Sequence, residues 1–87
     1  MTSMLDEASY REDALAVLTP REREVLQLIS FGLSNAQAAQ RLHVSVHAIK
    51  FHLAAIYSRL GVTNRTEAAV AYLRAANGPF EAASEGD

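Results

Sequence analysis

What most constrains this chain is a repeated start-and-stop punctuation. Three times a side chain able to cap a helix stands three residues ahead of a Glu or Gln: Thr19 with Glu22, Ser34 with Gln37, and Asn64 with Glu67. In such a capping box the first side chain accepts from an orphan N–H at the helix start, and the acid or amide reaches back to the cap's own N–H. Ser45 is a fourth cap, and Pro20 suits a first helical position. Glycine follows at Gly32, Gly61 and Gly78, where a left-handed residue can end a helix. A chain cut in this way can build only short helices.

The apolar spacing between these marks has a helical period. A first helix is predicted over Pro20–Phe31, with Val25, Leu26 and Ile29 on one face. A second is predicted from the Ser34 cap to about Leu42, with Ala38, Ala39 and Leu42 inward. The third runs from about Ser45 to Leu60 on the stripe Ile49, Leu53, Ile56 and Leu60. The fourth starts at Asn64, carries Ala68, Ala69, Tyr72, Leu73 and Ala76, and halts at Asn77-Gly78-Pro79. No alternating strand pattern, repeat or low-complexity tract competes. The fold class is all-α: a four-helix domain over 18–77, preceded by a linker or leading helix in 1–17 and followed by a disordered tail in 78–87. Within the leading segment, Asp6–Val17 could form a short, weakly amphipathic helix.

With 87 residues, one small domain is expected. There is no cysteine, hence no disulfide and no thiolate metal site. No apolar run reaches eighteen residues and no signal stretch opens the chain. A soluble, cytoplasmic protein with no membrane partner is the expectation. The formal charge of −2 argues against binding a phosphate polymer, but the average misleads. Every carboxylate lies in Asp6 to Glu24 or in Glu67 to Asp87, leaving a middle that holds Arg41, Lys50, Arg59, Arg65 and the three histidines. Local charge sets the field a nucleic acid meets.

The second and third helices, joined by the turn at His43-Val44, meet the packing demand of a helix-turn-helix: small Ala39 and apolar Ile49 stand where the two helices cross. A stretch of matching residues extends this. Leu18-Thr-Pro-Arg-Glu-Arg-Glu-Val-Leu26, Gly32-Leu-Ser-Asn35, Ala39, Leu42, Ser45, Ile49-Lys50, His52, Ile56, Arg59-Leu60-Gly61-Val62 and Arg65 resemble LuxR-type (LuxR/FixJ/NarL-like) DNA-binding domains of bacterial transcription regulators over about 18 to 74. Sigma-factor region-four domains share the opening and the helix-turn-helix but usually lack the Leu-Gly-Val and Arg65 continuation.

The resemblance implies that the third helix enters the major groove of double-stranded DNA with Lys50, Phe51 and Ala54 at the base edges. Geometry agrees, because burying Ile49, Leu53 and Ile56 turns residues 46, 47, 50, 51, 54 and 58 outward. Lys50, the only lysine, can bond guanine or a phosphate. Phe51 and Ala54 depart from the polar groups relatives often carry there. Apolar contact with thymine methyls is the alternative open to them. Ser34, Asn35, Ser45, His47 and Arg59 are candidate phosphate contacts near helix starts. Ala36 and Gln37 stand where relatives often have lysine and glutamate, which removes one possible phosphate contact. Arg65 is expected to pair with a first-helix carboxylate such as Glu22.

The resemblance also implies a homodimer through the fourth helix, at Val70, Ala71 and Arg74, with RNA polymerase as a further partner. No cofactor is implied. The histidines lack supporting acids or thiols, so no metal site is expected, and no nucleophile–base arrangement suggests an enzyme. Two other readings stay open: a protein-interaction module that keeps the fold without reading DNA, and a sigma-region-four-like promoter-binding domain. Residues 1–17 are too few for the receiver or ligand-binding domain that relatives carry ahead of this module, so the chain is a fragment or a stand-alone regulator.

Overall fold

Each of the four expected N-cap side chains accepts from a backbone N–H at its helix start. The computed structural model describes residues 14–77. Thr19 Oγ1 accepts from the Glu22 N–H at 3.1 Å and Glu22 Oε1 accepts from the Thr19 N–H at 3.0 Å, opening α1 (Pro20–Ser30). Ser34 and Gln37 exchange the same two bonds at 3.1 and 2.8 Å ahead of α2 (Asn35–Leu42). Ser45 Oγ accepts from the Ala48 N–H at 3.0 Å ahead of α3 (Val46–Leu60). At the start of α4 (Arg65–Asn77), Asn64 Oδ1 accepts from the Glu67 N–H at 2.9 Å. Glu67 reaches one residue further back than a capping box requires: the N–H and hydroxyl of Thr63 donate to its Oε1 at 2.8 and 3.0 Å. Those donors hold its carboxyl below the usual glutamate range.

The three inner helices end alike. Gly32 and Leu33 donate their N–H groups back to the Ile29 and Leu28 carbonyls at 3.0 and 3.2 Å; Gly61 and Val62 donate to Ser58 and Tyr57 at 3.3 and 3.0 Å. This paired bonding satisfies the last carbonyls of a helix and needs one residue at positive φ, which Gly32 and Gly61 supply at 97° and 71°. α1 therefore stops at Ser30, with Phe31 as its cap, one residue before the predicted end. At the end of α2 the same bonds run from His43 to Gln40 and from Val44 to Ala39, and His43 holds the left-handed position at φ 58°. No glycine marked that stop.

α1 packs against α3 and α4, and α2 packs against α3. Their shared core is Leu18, Val25, Leu26, Ile29, Ala38, Ala39, Ile49, Leu53, Ile56 and Ala68. Leu42, Leu60 and Tyr72 close its edges. The expected stripe of α4 needs a correction, because Leu73 is 41% exposed and Ala76 is exposed. With Ala68 fully buried, Leu73 lies about 140° around the helix from it, whereas Tyr72 is nearly in line. Of the expected leading helix, residues 14–16 are helical and Leu15 packs on the core; the earlier part and the expected tail lie outside the described residues.

A Cβ built on Gly61 meets nothing within 4 Å, so a side chain there costs only backbone strain. Gly61→Ala is expected to lower stability by about 1 kcal/mol in urea unfolding. His43→Gly relieves the same strain, against the greater freedom glycine adds to the unfolded chain, and is expected to raise stability by about 0.5 kcal/mol. A His43→Gly variant less stable than the parent would contradict this account of the turn.

Candidate nucleic-acid interface

The outer face of α3 follows from its inner one. Ile49 and Ile56 are fully buried and Leu53 nearly so, and residues 46, 47, 50, 51, 54 and 58 are all exposed. Lys50, Phe51 and Ala54 therefore share one solvent-facing strip, with His47 a turn earlier. Phe51 is 69% exposed, a high value for a large apolar side chain. Its ring meets the half-buried His52 ring edge-on at 5.9 Å and 66°.

The N-termini of α2 and α3 supply oriented donors. Ser34 and Ser45 spend an oxygen lone pair on a backbone N–H each, which leaves the hydroxyl hydrogens to donate outward. Asn35 is half-buried and its Oδ1 accepts from Arg65 Nη1 at 2.9 Å, leaving its amide N–H groups for another acceptor. Arg65 Nη2 also donates to the Leu33 carbonyl at 2.8 Å. One guanidinium thus ties the start of α4 to the loop that leads into α2.

This corrects the expected partner of Arg65. Glu22 is held instead by Arg59, whose Nε lies 3.2 Å from its Oε1. The reason is position: Glu22, in the first turn of α1, faces the last turn of α3, whereas Arg65 opens α4 beside Leu33. Glu22 is 5% exposed and carries two duties, capping α1 and fixing the end of α3. Arg59 keeps 48% of its side chain exposed, so its terminal nitrogens still face solvent. The cap role of Glu22 was written in the Thr19–Glu22 spacing; its long-range partner was not.

The overall charge of −2 conceals a cationic domain. Residues 14–77 carry Arg21, Arg23, Arg41, Lys50, Arg59, Arg65 and Arg74 against only Glu22, Glu24 and Glu67. Two of those carboxylates already face arginine, Glu22 with Arg59 and Glu24 with Arg21. Among the described residues no three His, Cys, Asp or Glu side chains gather as metal ligands. No helix among them is long and apolar enough to cross a membrane. Val70 and Arg74 are exposed and Ala71 half-buried along α4.

Comparison with known proteins gives consistent likenesses. The family model described as bacterial regulatory proteins, luxR family, matches residues 16–72. The HTH-type transcriptional regulator AlkS of Ectopseudomonas oleovorans is 42% identical over 62 residues, 71% of this chain and 7% of AlkS. The response regulator protein VraR of Staphylococcus saprophyticus is 34% identical over 70 residues, 80% of this chain and 34% of VraR. The chain therefore spans only a small part of the length of these relatives.

Glu22→Gln keeps an oxygen for the cap but removes the charge facing Arg59. Because Arg59 is half exposed, the expected loss is about 1–2 kcal/mol in urea unfolding, and Glu22→Ala is expected to cost more by losing the cap as well. Equal stability of Glu22→Gln and the parent would show that the pair contributes nothing.

Proposed function

This chain belongs to the luxR family of bacterial regulatory proteins, and from that premise we propose that it binds double-stranded DNA sequence-specifically as part of a non-enzymatic transcription regulator. In this reading α3 enters the major groove. The observation that carries it is the rotation of α3, which buries Ile49, Leu53 and Ile56 and turns Lys50, Phe51 and Ala54 to solvent in one strip. A helix seated in the major groove meets base edges with such a strip.

The chemistry of the strip defines what it reads. Lys50 donates to guanine O6 or N7 or to a phosphate. Neither Phe51 nor Ala54 has a side chain that can hydrogen bond a base, so both contact thymine methyl groups, the Phe51 ring lying edge-on to that of His52. Ser34, Asn35, Ser45, His47 and Arg59 hold the phosphates to either side. Recognition then rests on methyl contact and DNA shape more than on a donor–acceptor code. With one lysine in the strip, affinity per copy is modest, and pairing of two copies through α4 at Val70, Ala71 and Arg74 doubles the contacts. The strong exposure of Phe51 also suits a protein-interaction module, which the same experiment separates from DNA reading.

The test is selection of duplexes from genomic fragments, followed by fluorescence anisotropy on the selected site. Binding is expected to weaken as salt rises, and Lys50→Ala to reduce both affinity and the salt slope, the slope by about one ion. Replacing site thymines by uracil, which lacks the methyl, is expected to weaken binding about fivefold or more, and Phe51→Ala to shrink that difference. Unchanged affinity on uracil would defeat the methyl reading alone; no duplex retained at low salt would defeat DNA reading and leave the interaction module.

A further inference from the structure

All three histidines fall in residues 25–66, the stretch that holds no carboxylate. His43 and His47 are exposed on either side of Ser45, the cap of α3, whereas His52 is half-buried beside the Phe51 ring. His43 lines a groove of about 560 Å³ with Leu33, Gln37, Gln40 and Arg41. Arg65 reaches the same groove's edge through its bond to the Leu33 carbonyl. His47 shares the outer face of α3 with Lys50, three residues on. The carboxylates of the described residues are engaged elsewhere: Glu22 on Arg59, Glu24 on Arg21 and Glu67 on Thr63. Arg59 stands twelve residues beyond His47, about 18 Å along the axis of α3, and Thr63 follows that helix's end. Arg23 of α1 donates to the Leu15 carbonyl, and Arg74 lies in the last turn of α4. An imidazolium at position 43 or 47 thus has cations around it and no acid among the described residues to neutralise it.

We propose that His43 and His47 are proton-linked phosphate contacts: each meets a backbone phosphate of the duplex as an imidazolium, so that binding takes up protons and weakens as pH rises. This rests on the reading above that α3 meets duplex DNA, and it adds His43 as a contact and protonation as a control on affinity. Imidazole is the side chain whose charge changes between about pH 5 and 8. An opposite charge close by favours its charged form, and for these two residues the duplex supplies that charge. The coupling is reciprocal: a phosphate that favours the proton makes the proton favour the phosphate. Affinity is therefore gained at low pH and lost as pH rises through the imidazole range. The gain is large because the fixed charge is small. Of the four cations in residues 25–66, Arg59 faces Glu22 and Arg65 is bonded to Asn35 and Leu33, which leaves Arg41 and Lys50. Two imidazolium groups double that number.

Fluorescence anisotropy of the full chain on the selected duplex, at about pH 6 and about pH 8 and over a range of salt, tests this. The phosphodiesters stay charged at both values, so the titrating groups belong to the protein. The parent is expected to bind about tenfold more tightly at the lower pH, with a salt slope steeper by about one to two ions. His43→Asn keeps a residue that tolerates the left-handed conformation, and His47→Gln keeps a polar side chain on the outer face of α3. Each single variant is expected to lose part of the rise in affinity, and the double variant most of it. Circular dichroism at both pH values checks that each variant is folded. A parent whose affinity changes less than about twofold, or a double variant that keeps the whole rise, overturns the histidine contacts and leaves DNA reading standing. No duplex bound at either pH at low salt overturns both.

Discussion

The burial of one narrow stripe on α3 is the constraint from which the rest of the domain follows. Ile49, Leu53 and Ile56 interlock with Val25, Leu26 and Ile29 of α1 and with Ala38 and Ala39 of α2. A helix held by one stripe has no rotational freedom left, so the residues facing water are chosen by the residues facing in. Ala38 and Ala39 matter as much as the larger side chains. They are buried in the core that α2 shares with α3, where bulk would push α2 away and with it Ser34 and Asn35 at its start.

Two arginines then lock the frame in which that helix sits. Arg59 joins the last turn of α3 to the first turn of α1 through Glu22, and Arg65 joins the start of α4 to Leu33 and to Asn35 at the start of α2. Both links end at a helix start, on a cap or a neighbour of one. The capping bonds, the core and the cationic face are therefore coupled: a change at Glu22 loosens a helix start and an ion pair together. No buried side-chain nitrogen or oxygen among the described residues lacks a partner, so these links leave no polar group stranded.

Local chemistry was legible in the sequence and tertiary placement was not. The capping pairs named the helix starts because each bond is made within three or four residues, and the period of Ile49, Leu53 and Ile56 named the outer face of α3. Phe51 and Ala54 stood out for the same reason. The end of α2 at Leu42 was legible, but the left-handed conformation of His43 was not, because the usual signal for it is glycine and here an exposed histidine adopts it. Leu73 misled because α4 mixes alanine on several faces, and only the docking of Ala68 on α1 decides which face is inside. The partners of Arg59 and Arg65 lie in other helices, and spacing along the chain cannot tell two nearby carboxylates and a carbonyl apart.

The central claim is that the strip of α3 outside Ile49 and Leu53 is the surface that meets duplex DNA. It is tested most directly by titrating the isotope-labelled chain with a duplex site and following its backbone amides by NMR. The largest shifts are expected at Ser45, His47, Lys50, Phe51 and Ala54, with a second group at Ser34 and Asn35, and small ones at the middle of α1. Saturable binding that shifts α1 or α4 while leaving Lys50 and Phe51 unmoved would contradict it.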